Sequence, residues 1–265
     1  MTTGRYLFLG MIAGLIAGVL AFGVGRVWGE PPVEAAIAIE EAGSAEPAAH
    51  DHTAMATEAP APAPEAEAAG HSHDEEAGFS RATQAGIGLL TGMAVFGAGL
   101  GGLFALAFAL VQGRFSQLGA QATAAIMALI GYVAVVLVPF LKYPANPPAV
   151  GHGETIGMRT QLYFTMIVLS LIATAISVAV ARGGADRWRA AIHGGLVYLA
   201  LMVLAGFVLP SINEVPADFP GDLLWQFRSV SLVIAAVLWG AIGLIFGLLV
   251  SRAQAVAAPG LHRPA

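Results

Sequence analysis

Two short clusters carry the residue types best suited to holding a metal ion: His50-Asp51-His52 and His71-Ser72-His73-Asp74-Glu75-Glu76. In an extended chain, His-x-His spacing sets both imidazoles on one side, where they can share an ion with a neighbouring carboxylate. Imidazole with carboxylate suits divalent cobalt, nickel, copper and zinc without choosing among them. The expected ligands are His50, His52, His71, His73 and Asp74. The competing reading is an acidic, solvated tract with incidental histidines. There is no cysteine, so thiolate sites, disulfides and Cys nucleophiles are excluded.

A second set of polar groups falls in two Pro-rich segments, residues 142–159 and 210–228. Asn146, His152, Glu154, Asn213, Glu214, Asp218 and Asp222 can line a shared mouth or ion path, although ordinary turn chemistry accounts for each one singly. His193 is the ionisable side chain that falls inside an apolar run away from the flanking arginines. It is either a functional intramembrane group or an interfacial residue four positions after Arg189. No GxxxxGK[ST], HExxH or GxSxG motif occurs, so no catalytic residue and no cofactor is expected. A driving force must come from a partner, an ion gradient or the membrane potential, the last worth about 2.3 kcal/mol per charge per 100 mV.

The elements that hold these residues are membrane spans. The chain is 57% hydrophobic and 11% charged, against about 25% charged in a soluble domain. Neither the charge nor its distribution suits nucleic acid. Six stretches reach the length of about 20 apolar residues that a spanning helix needs: 6–24, 85–111, 121–141, 162–181, 190–209 and 230–250. The expected fold class is an all-α integral membrane protein of about six transmembrane helices. The first stretch, preceded by Arg5, has a cleaved signal peptide as its alternative. Its Gly10, Gly14 and Gly18, like Gly88, Gly92, Gly97 and Gly101 of the second, sit at helix-packing spacing.

Arg182, Arg187 and Arg189 cluster in one short loop, which places that loop and both termini in the cytoplasm. The segment 27–80 then faces outward, into the periplasm of a Gram-negative cell. It holds 12 of the 17 acidic residues, four of the seven histidines and no Lys or Arg. Its composition predicts disorder, with a short amphipathic helix at its start where Glu30, Glu34 and Glu41 fall at helical spacing. The expected organisation is a first helix (1–26), an acidic His-bearing outer loop (27–80), a five-helix core (81–252) and a cytoplasmic tail (253–265).

The later spans read as copies of one hairpin. Tyr-Pro-Ala-Asn-Pro-Pro (143–148) and Val-Pro-Ala-Asp-Phe-Pro (215–220) each precede an arginine, Arg159 or Arg228, that opens the next span. Glu30-Pro31-Pro32 would be the turn of a diverged first copy, with Arg81 opening its second span. Parallel repeats of this kind are a transporter construction.

The Gly-rich first span ending in Arg26-Val-Trp-Gly-Glu-Pro-Pro-Val-Glu-Ala-Ala, the Lys-Tyr-Pro-Ala-Asn-Pro-Pro-Ala-Val loop and the Leu-Pro-x-x-Asn-Glu-Val-Pro-x-x-Phe-Pro loop together resemble the CbtA family of cobalt transporter subunits. The resemblance implies cobalt uptake linked to cobalamin synthesis and a small single-span, His-rich partner, CbtB. The residues themselves imply a divalent-cation path across the lipid bilayer of the inner membrane. A membrane subunit that binds metal or assembles with a transporter without conducting, and an integral-membrane enzyme using His152 and Glu154, are the alternatives.

Overall fold

A computed structural model describes residues 1–45, 80–114, 118–184 and 186–257. The expected ligands His50, His52, His71, His73 and Asp74 lie outside the described residues. Six helices are long and apolar enough to cross a bilayer: α1 (Thr3–Gly43), α2 (Arg81–Val111), α3 (Ala120–Lys142), α4 (Gly153–Arg182), α5 (Arg187–Val208) and α6 (Gly221–Ala257). No strand occurs among the described residues. The chain is thus the all-α, multi-pass membrane protein that its hydropathy predicts. Phe8, Phe96, Leu103 and Phe207 stand more than half exposed around the bundle, as expected where lipid is the solvent.

The first helix departs from expectation. Glu30-Pro31-Pro32 is not a turn, and the helix expected at the start of the acidic segment is present over Glu30–Ala45 but continuous with the first span. α1 continues through both prolines for 41 residues, about 60 Å at 1.5 Å per residue, twice the hydrocarbon thickness. A π-helical segment, Gly25–Gly29, immediately precedes the two prolines. Its wider winding relieves the clash that a proline ring makes with the carbonyl four residues back, so the helix passes through without ending.

The α1–α2 pair is held by backbone contact. A Cβ added at Gly14 would run into the Gly97 carbonyl, and one at Gly10 into that of Gly101. Small residues every four positions therefore fit two antiparallel helices together where any larger side chain would force them apart. α6 packs on both α1 and α3. There Gly131 leaves the space filled by the Trp239 indole. Phe108 stacks edge-on against Tyr6 and Phe246, with centroids 5.6 and 5.0 Å apart. α4 and α5 form a second pair, joined within the apolar region by a 2.8 Å hydrogen bond between Ser170 Oγ and the Tyr198 hydroxyl. Asp186 caps α5 by accepting from the amides of Trp188 and Arg189. α3 thus packs chiefly on α6 and α4 on α5, rather than α3 on α4 and α5 on α6 as hairpins in sequence order would, and the repeat stays an expectation from the sequence.

Candidate functional site

The site is built at the end of the bundle that carries the two Pro-rich loops. α3 stops at Lys142, whose ammonium donates to Ser211 Oγ at 2.7 Å, and the Tyr143 hydroxyl donates to the Pro210 carbonyl at 2.7 Å. These bonds tie the first loop to the second. Each loop then makes a four-residue turn closed by one hydrogen bond, Val150 N–H to the Pro147 carbonyl and Phe219 N–H to the Pro216 carbonyl, both 3.2 Å, although the first turns through a left-handed Ala149 (φ +64°) and the second does not. Proline fixes the backbone at the start of each turn. The fourth residue of each, Val150 or Phe219, is buried with Ala36 of α1 in one small apolar cluster. The extension of α1 beyond its prolines is thus a cover laid across both loops. The two turns, Pro147–Val150 and Pro216–Phe219, lie three residues out of step with the alignment of YPANPP on VPADFP.

Arginines from the helices reach across to the opposite loop. Arg159, at the start of α4, donates from Nη1 to Glu214 Oε2 of the second loop at 2.6 Å. Arg228, near the start of α6, donates from Nε to the Ala145 carbonyl at 3.2 Å and from Nη2 to Asn146 Oδ1 at 3.0 Å in the first loop. Between them lies a cavity of about 430 Å³ whose walls include Tyr143, Asn146, Arg159, Asn213, Glu214 and Arg228. Gly151 (φ +116°) passes so close that any side chain there would strike Arg159 and Glu214.

The Glu214 side chain is 6% exposed, and its Oε1 is buried with no hydrogen bond among the described residues. The Thr155 hydroxyl beside it, the Arg159 charge and the His152 backbone hold the Glu214 carboxyl below the ordinary glutamate value, against an opposing desolvation. A second Arg–Glu pair joins α2 to α1. There Arg81 Nη2 donates to Glu30 Oε2 at 2.6 Å, with Glu30 at the wall of a separate cavity of about 110 Å³.

Of the residues expected from the sequence, Asn146, Asn213 and Glu214 share the main cavity. His152 lines an adjoining space of about 600 Å³ with Ile39, Glu40 and Gly43 of α1. Glu154, Asp218 and Asp222 are exposed and line neither. His193 is exposed on α5, close to Arg189 and far from the loops. Among the described residues no three His, Asp or Glu side chains converge as a metal cluster. Sequence reasoning missed Arg159 and Arg228 as site residues, treating them as span boundaries. Their signal was there, in the arginine that follows each Pro-rich segment.

The profile of a protein family described as probable cobalt transporter subunit (CbtA) matches residues 3–251. No curated protein and no solved structure matches the chain.

Proposed function

The chain belongs to the CbtA family, and on that premise we propose that it is the membrane-embedded subunit of a cobalt uptake system. The observation that carries the reading is the family match, which takes in all six spans and both Pro-rich loops. The loop end is the outer, periplasmic mouth in the inner membrane, with both termini cytoplasmic. His50, His52, His71, His73 and Asp74 capture ions, and the cavity walled by Asn146, Asn213 and Glu214 receives them. His152 stands at the adjoining entrance. A small single-span, His-rich subunit of the CbtB kind is the expected partner, and cobalamin synthesis the expected consumer. The ion must exchange most of its hydration for protein oxygen along the way.

A second reading, a subunit that binds metal or assembles without conducting, is favoured by one observation: two arginines face a single glutamate that is already paired. Cobalt accumulation in cells with and without the gene, and in liposomes holding this chain with and without the single-span partner, separates the two. Flux from the chain alone supports a permease. Flux only with the partner supports a subunit of a larger conductor, and no flux in any combination defeats the transport reading.

A further inference from the structure

We propose that the cavity between the two loops receives its divalent cation as a complex with a small carboxylate-bearing anion, not as the bare aqua ion. The inference rests on the transport reading above and specifies its cargo. Charge is the first observation. The ionisable walls are Arg159, Arg228 and Glu214, two positive against one negative, so a free dication meets a like-signed field. Glu214 cannot offset both arginines, because Arg159 already holds it at 2.6 Å. Arg228 makes no ion pair among the described residues, and its Nη1 makes no hydrogen bond there. A guanidinium placed in this way is a ready donor to a carboxylate.

The remaining chemistry is of the opposite kind. Glu214 Oε1 is buried without a hydrogen bond, and the Asn146 and Asn213 amide oxygens of the same walls, which already accept from Arg228 Nη2 and Val215 N–H, each keep a second lone pair. Such a hard oxygen set suits a cation. One cavity therefore presents a cation-accepting wall and an anion-accepting wall together, which complements a metal with its own carboxylate ligand.

Equilibrium dialysis of the full-length protein in detergent against radiolabelled citrate, with and without equimolar Co²⁺, tests this directly. The wild type should retain citrate when Co²⁺ is present, and Arg228→Gln should weaken that retention at least tenfold. Arg228→Lys keeps the positive charge but loses the planar fork, and should weaken retention less than Arg228→Gln does. No citrate retention by the wild type, or retention indifferent to both substitutions, overturns the proposal. So does native mass spectrometry in which phosphatidylglycerol binds the wild type but not Arg228→Gln while citrate does not bind, since the arginine then serves a lipid headgroup. Cobalt accumulation by cells carrying the wild type, measured in parallel, separates the two claims. Uptake without citrate binding defeats the complexed cargo alone, whereas absent uptake defeats the transport reading.

Discussion

Glu214 and Arg159 are paired but unequally enclosed, with side chains 6% and 29% exposed. Removing one is therefore unlike removing the other. Arg159→Gln strands a buried carboxylate that has lost its counter-charge, whereas Glu214→Gln leaves a guanidinium that water can still reach. The expected order of melting temperature in detergent is wild type above Glu214→Gln above Arg159→Gln. The double variant should recover part of what Arg159→Gln loses, and equal losses for the two single variants would contradict the assignment. The pair also fixes the sign of a pH effect. The folded carboxyl titrates below the ordinary glutamate value, which is about 4.3. Its contribution is thus fully present above that value and is lost as pH falls through the lower, folded one. Melting curves of the wild type should converge on those of Glu214→Gln as pH drops from 5 to 3, and a constant gap over that range would refute the linkage.

The six helices were legible because each is a long apolar run, and a bilayer demands that length whatever the neighbours do. The small residues of α1 and α2 were legible as a packing surface for the same local reason. Which glycine meets which was not, since an every-four pattern fits several registers; the structure pairs Gly14 with Gly97 and Gly18 with Met93. The hole at Gly131 filled by Trp239 has no local mark at all, because only the fold brings residues 131 and 239 together. This interface gives a graded test. Gly14→Ala sets a methyl group against the immovable Gly97 carbonyl, and overpacking of this kind costs about 1–3 kcal/mol. Gly92→Ala, on the same pair of helices, meets nothing within 4 Å and gains up to about 1 kcal/mol of helix propensity. Thermal unfolding in detergent should move in opposite directions for the two, and two drops of similar size would mean that α1 and α2 do not meet through their glycines.

The site is a property of the whole molecule, which is why the sequence yielded only half of it. Polar residues in Pro-rich turns announced Asn146, Asn213 and Glu214. Arg159 and Arg228 join them only because α4 and α6 each point an arginine at the loop of the other segment. The role of α1 as a cover was hidden by Pro31 and Pro32, which read locally as a break. That cover settles where the acidic tract leaves the bundle: Gly43 and Glu40 border the space that also holds His152. Ions gathered by residues 46–79, which carry eight acidic residues, four histidines and no Lys or Arg, would be released beside the mouth. Electrostatic attraction of this kind reaches only about 8 Å at 0.15 M salt. On the proposed reading, capture would therefore be local and concentration-dependent, adding to supply without setting the conduction step. Replacing residues 46–79 by a Gly/Ser linker of equal length should raise the external cobalt needed for half-maximal uptake and leave the maximal rate nearly unchanged. The difference from the wild type should shrink as ionic strength rises. A collapsed maximal rate would place the tract inside the path, and an unaltered concentration dependence would remove it from ion capture altogether.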